Sequence, residues 1–126
     1  MKKKLNFLIV DDEPNVCECL RLLLAMDGHT AVLANSGMEG LAEFKPGRFD
    51  IVCTDFSMPG MQGDQFAAAV KSISPSQPVV MISGLANTMQ KPKAVDCLIG
   101  KPFLQSDLRN AFQQVMSEKE DAVEAA

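Results

Sequence analysis

The sequence predicts a doubly wound α/β domain, a parallel sheet covered by helices on both sides. Strand-suited apolar runs alternate along the chain with segments of helical period. The runs are apolar at successive positions, as in strands buried on both faces. Right-handed crossovers then lay the helices over the two faces. In such folds the functional residues gather at the carboxyl ends of the strands, near the switch in strand order.

The elements follow in order. "LNFLIV" is the first strand, ended by Asp11-Asp12-Glu13-Pro14. A helix is predicted from Pro14, with Val16, Leu20 and Leu23 at i, i+4, i+7 and Gly28 as its stop. "TAVLA" is the second strand. "SGMEG" opens a second helix with capping-box spacing between Ser36 and Glu39, an apolar face continued by Leu41 and Phe44, and Gly47 as its end. "DIVCT" is the third strand, followed by a turn built from Pro59, Gly60 and Gly63. Asp64 is placed as the cap of a helix carrying Phe66, Val70 and Ile73. "PVVMIS" and "VDCLIG" are the fourth and fifth strands, and a last helix carries Leu108, Phe112 and Val115. The tail "SEKEDAVEAA" either extends that helix or frays.

The bulk numbers exclude several classes. At 126 residues the chain fits one domain. A net charge of −4 argues against direct nucleic-acid binding or a generic grip on anionic lipid. No apolar run approaches the roughly 20 residues of a membrane span, and the basic start is broken by acids too early for a signal peptide. A cytoplasmic protein is the expectation. Its four cysteines fit. Cys53 and Cys97 lie in predicted buried strands, and Cys17 and Cys19 face different directions on a helix. With His29 as the single histidine, neither a zinc centre nor a His-based triad is expected.

The strand ends carry the chemistry. The first ends in Asp11-Asp12, the third in Asp55 and the fourth in Ser83-Gly84; Lys101-Pro102 follows the fifth. Each has a bland reading alone: an acid pair favourable near a helix N-terminus, turn chemistry, an ordinary Lys-Pro. Together they bring three carboxylates, a hydroxyl and an ammonium to one edge of the sheet. Three carboxylates repel unless cations neutralise them, and Lys101 supplies only one charge. A hard divalent ion such as Mg²⁺ is the natural remainder, bound by carboxylate oxygens. The set suits phosphoryl transfer, with Asp55 as nucleophile and Ser83 and Lys101 near the phosphoryl oxygens.

With these residues in place, "LIVDDEPN", "DIVCTDFSMPGMQG", "PVVMISG" and "LIGKPF" resemble, in order and spacing, the motifs of the receiver domain of bacterial two-component response regulators. The resemblance covers essentially the whole chain. It implies a flavodoxin-like, CheY-like fold with strand order 2-1-3-4-5, a receiver over residues 1–118 and an acidic tail over 119–126. It implies that Asp55 takes a phosphoryl group from a sensor histidine kinase or phosphotransfer protein. It further implies Mg²⁺ on Asp12, Asp55 and the backbone carbonyl of Ser57, with Asp11 acting mainly through water, and Ser83 and Lys101 on the phosphoryl group. The Lys101-Pro102 bond is expected to be cis.

Three positions depart from that pattern. Leu98 stands where receivers carry a switch Tyr or Phe. "SGLANTMQKPKAVDCLIGK" is about one helical turn short and contains Pro92, so a stunted, displaced or disordered fourth helix is expected. Leu85, which with Ser57 occupies the positions that tune hydrolysis of the aspartyl phosphate, cannot hydrogen-bond an attacking water, so slow self-dephosphorylation is expected. Output is expected through a downstream partner or a separate output domain. The alternatives are a binding module that has lost phosphorylation and a Mg²⁺-dependent phosphatase. Against the latter, position 57 offers no competent general acid, and the chain is expected to be no enzyme beyond its own modification.

Overall fold

The computed structural model describes residues 4–125. Five strands, β1 (Asn6–Val10), β2 (Thr30–Ala34), β3 (Ile51–Asp55), β4 (Val79–Ser83) and β5 (Cys97–Gly100), form one parallel sheet of order β2-β1-β3-β4-β5. Four helices accompany them among the described residues: α1 (Pro14–Met26), α2 (Gly37–Glu43), α3 (Gly63–Ile73) and α4 (Gln105–Ala125). The expected fold class and strand order are therefore found.

Strand pleating explains the two cores. Phe7, Ile9, Ile51, Cys53, Val80, Ile82 and Ile99 point to one face, where Leu20 and Leu24 of α1 and Leu108, Phe112 and Val115 of α4 cover them. Leu8, Val10, Val52, Val79 and Met81 point to the other, under Phe66, Ala67 and Val70 of α3 and Phe44 just after α2. Because the sheet is parallel, every strand delivers its carboxyl end to the same edge. The register pairs Val10 with Ala34 and Thr54, Asp55 with Ile82, and Ser83 with Gly100.

Helix details differ from expectation in four places. The buried stripe of α1 is Cys17, Leu20 and Leu24, with Val16 and Leu23 only partly buried at its margin. Gly28, at φ 84°, makes the predicted turn out of α1. Ser36 accepts from the Glu39 amide at 3.0 Å as predicted, but α2 stops at Glu43, before the left-handed turn at Gly47. The cap of α3 is Gln62, reciprocally bonded with Gln65, and not Asp64, which lies inside the first turn. Ile73 is 52% exposed and takes no part in the core. The acidic tail continues α4 as far as Ala125.

No helix forms between β4 and β5 among the described residues; 84–96 is a chain of turns, as Pro92 and the shortness of the segment foretold. Asp96 anchors it. Its Oδ2 accepts from the Val79 amide at 2.8 Å and from Lys71 Nζ at 2.7 Å, while its own amide donates to the Val79 carbonyl at 2.8 Å. Asp96→Ala strips both partners at once. It is expected to lower stability by about 1–2 kcal/mol in urea unfolding, discounted for partial exposure of the pair. A loss below a few tenths would mean that Val79 N–H finds another acceptor.

Candidate functional site

The edge formed by the strand ends collects the residues singled out from the sequence. Asp11 follows β1 and is 3% exposed; Asp12 is partly buried beside it. Asp55 is the last residue of β3, and Ser83, 1% exposed, the last of β4. Lys101 follows β5, and its amide donates to the Ser83 carbonyl at 3.0 Å, so the two are held side by side. Carboxylate oxygens of Asp11, Asp12 and Asp55 lie within 4.8 Å of one another.

Lys101 Nζ sits between two of these acids, 3.4 Å from Asp11 Oδ2 and 3.4 Å from Asp55 Oδ1. The remaining contacts are local. Asp11 Oδ1 accepts from the Glu13 amide at 2.9 Å, a short-range turn just ahead of Pro14. Asp55 Oδ1 also accepts from the Phe56 amide at 2.9 Å, and Thr54 Oγ1 donates to the Asp55 carbonyl at 2.8 Å. Both contacts on the Asp55 carboxylate thus fall on Oδ1 and leave Oδ2 open among the described residues. Ser83 Oγ accepts from the Leu85 amide at 3.0 Å, so its own proton is available to another acceptor.

The charges are poised. Burial raises the Asp55 pKa above its ordinary value; Lys101 opposes this and Asp11 adds to it. For Lys101, burial alone would lower the pKa, but Asp11 and Asp55 outweigh it and the net shift is upward, so the ammonium stays charged. Burial likewise raises the Cys17 thiol to about 11, keeping it protonated next to Asp11.

The other singled-out residues lie around this cluster. The Lys101-Pro102 peptide is cis, and Pro102 is exposed. Ser57 is exposed in the turn after β3, and Leu85 is 50% exposed after β4. Leu98 is partly buried against the core on the α3 side. The sequence marked Gly63 only as a turn residue and did not mark Asn35. Gly63 carries α3 so close to β3 that its amide donates to the Phe56 carbonyl at 2.8 Å. Asn35, directly after β2, reaches the Asp11 carbonyl from 24 residues away. A glycine at the start of a helix is the only signal for the first, and nothing local marks the second.

The response regulator receiver domain family matches residues 7–113. The chain belongs to that family. It is 35% identical over 81 residues to the transcriptional regulatory protein GlrR of Escherichia coli K12, covering 64% of this chain but only 18% of that protein. The chain therefore spans about a fifth of that relative's length. Among solved structures, a response regulator receiver domain protein from Clostridium thermocellum superposes with a TM-score of 0.84 at 28% identity, covering 92% of this chain and 97% of the other. The response regulator TrrA from Thermotoga maritima, solved in complex with Mg²⁺-BeF, gives 0.82 at 27% identity, covering 90% and 99%. No helix among the described residues of this receiver is long and apolar enough to cross a membrane.

Proposed function

We propose that this receiver accepts a phosphoryl group on Asp55 from a phosphohistidine of a sensor histidine kinase or phosphotransfer protein, in a Mg²⁺-dependent reaction. The observation that carries the reading is one lysine ammonium bridging Asp11 and Asp55 within a group of three convergent acids. The donor set fits a hard divalent ion: all oxygen, more negative than one ammonium can balance, and closely grouped. Asp12, Asp55 and the Ser57 carbonyl would hold Mg²⁺, with Asp11 acting through water. Bound there, the ion would supply positive charge to the transferred group's oxygens.

The protein's own groups do the rest. The Asp55 carboxylate attacks phosphorus; the new O–P bond forms as the P–N bond to the donor imidazole breaks. Lys101 balances charge developing on the phosphoryl oxygens, and the Ser83 hydroxyl donates to one of them. Leu98 and Pro102 lie where the change would be passed onward, to a downstream partner or an output domain. We take residues 1–118 as the receiver unit and 119–126 as its acidic tail, in the cytoplasm. A module that only binds other proteins has no use for this charge cluster, which disfavours that alternative.

With Mg²⁺ and acetyl phosphate, intact mass should rise by one phosphoryl group. Asp55→Asn, or omission of Mg²⁺, should remove the gain. An unmodified parent protein under these conditions would overturn the proposal. Leu85 offers no hydrogen bond to an attacking water, so the modified protein should persist for minutes or longer once donor is removed. Decay within seconds would show that another group positions the water.

A further inference from the structure

We propose that Cys17 and Asn35 are positioning residues for Asp11, fixing the backbone that aims its carboxylate into the Mg²⁺ and phosphoryl site. The inference rests on the Mg²⁺-dependent reading above and adds to it two residues outside the acid cluster. The carbonyl of Asp11 lies past the last β1–β2 pair, Val10 with Ala34, so the sheet does not hold it. Two side chains do. Cys17 Sγ donates to it at 3.4 Å and Asn35 Nδ2 at 3.2 Å, using both of its lone pairs.

The two donors also engage each other and the neighbouring strand. Asn35 Nδ2 lies 3.8 Å from Cys17 Sγ, and Sγ lies 3.8 Å from the Ala34 carbonyl. That same carbonyl accepts from the Asp11 amide at 3.1 Å. Asp11 is thereby clamped on both sides of its Cα, by its amide to Ala34 and by its carbonyl to Cys17 and Asn35. Its carboxylate then has only its two side-chain torsions to settle, set by Glu13 N–H on Oδ1 and Lys101 on Oδ2. Cys17 is 1% exposed and Asp11 3%, so an unpaired carbonyl here would seek a new partner by moving. Movement at this point displaces a carboxylate that must hold its place beside Asp12 and Asp55. Losing a group that orients a metal-site ligand from behind typically costs roughly 10–100-fold in metal affinity or activity.

The test is Mg²⁺ affinity, read by calorimetry because the chain has no Trp or Tyr. Thermal midpoints of the metal-free variants are measured alongside. Cys17→Ala is expected to weaken Mg²⁺ binding about 10-fold, and Asn35→Ala, at an exposed position and so free of folding trouble, by about 3-fold or more. Cys17→Ser restores a donor and should bind within about twofold of the parent. In an Asp11→Asn background, adding Cys17→Ala should change affinity by less than about twofold, because the route through Asp11 is already gone. Parent-like affinity in both alanine variants, a serine variant as weak as the alanine one, or an undiminished effect in the Asp11→Asn background would each overturn the inference. A parent that binds Mg²⁺ and gains phosphate while both alanine variants do so equally well sinks this inference alone. A parent that does neither sinks the phosphoacceptor reading, and this one with it.

Discussion

Gly63→Ala is expected to destabilise the domain by about 3 kcal/mol or more and to abolish phosphoryl uptake at temperatures where the parent is fully active. A Cβ built on Gly63 would lie 1.9 Å from the Asp55 carbonyl oxygen, 2.8 Å from its carbon and 2.9 Å from Phe56 Cα. Ordinary contact begins at about 3.5 Å, so the backbones must part by more than an ångström. All three atoms are backbone, and no side-chain rotation relieves the clash. Separation would break the 2.8 Å bond from the Gly63 amide to the Phe56 carbonyl and twist the end of β3, where Asp55 is set. Stability is read from urea unfolding by far-UV circular dichroism, and uptake from intact mass. A variant within about 1 kcal/mol of the parent would show that α3 can slide from β3 without disturbing it.

The same contact explains why the start of α3 was misplaced by the sequence reading. Cap preference favours Asp64 over Gln62. The helix must begin at Gly63, however, because only a residue without a side chain fits against the Asp55 carbonyl, and the cap then falls on Gln62. A tertiary constraint outweighed a local preference. The stripe of α1 slipped for a related reason: Leu22, Leu23 and Leu24 are equally apolar, so periodicity alone could not choose among them, and the buried Cys17 took the place given to Val16. The strands and their ends were legible because a parallel sheet converts sequence order into position. An acid just after β1, another ending β3, a hydroxyl ending β4 and a lysine after β5 must share one edge, wherever the helices start. The missing helix was legible through Pro92 and the short connection. The clamp on the Asp11 carbonyl was not, since Asn35 meets Asp11 only because β2 lies beside β1 in the folded sheet. Nor was Asp96, whose value lies in the backbone amide of Val79, which carries no sequence signature.

Lys101→Met is expected to lower phosphoryl uptake by about 10²–10³-fold, the usual effect of removing one preorganised charge from a transition state. It should also cost about 2 kcal/mol of stability in metal-free protein near neutral pH. Removing one partner of a fully buried ion pair costs 3–5 kcal/mol, roughly. Here the lysine side chain is 27% exposed and its two bonds are long, at 3.4 Å, which reduces the figure. The acids it leaves are well buried, with 4% of the Asp11 and 11% of the Asp55 side chain exposed. Methionine keeps the length and apolar stem, so the loss reports charge and not packing. The pH dependence gives a second reading. The Asp55 pKa in the folded metal-free protein already lies above its ordinary 3.8, first through burial. A carboxyl raised on folding stabilises fully below 3.8, and that contribution is lost as pH rises through the raised value. Without Lys101, which holds the pKa down, the rise is larger and the window extends to higher pH. The variant should therefore fall furthest behind the parent above that window and approach it at pH near 4 and below. Asp55→Asn in the Lys101→Met background should recover part of the stability at neutral pH, because it removes the charge that the lysine compensated. A Lys101→Met protein that takes up phosphate at the parent rate would show that the ammonium is there to hold the acids together, not to act on phosphorus.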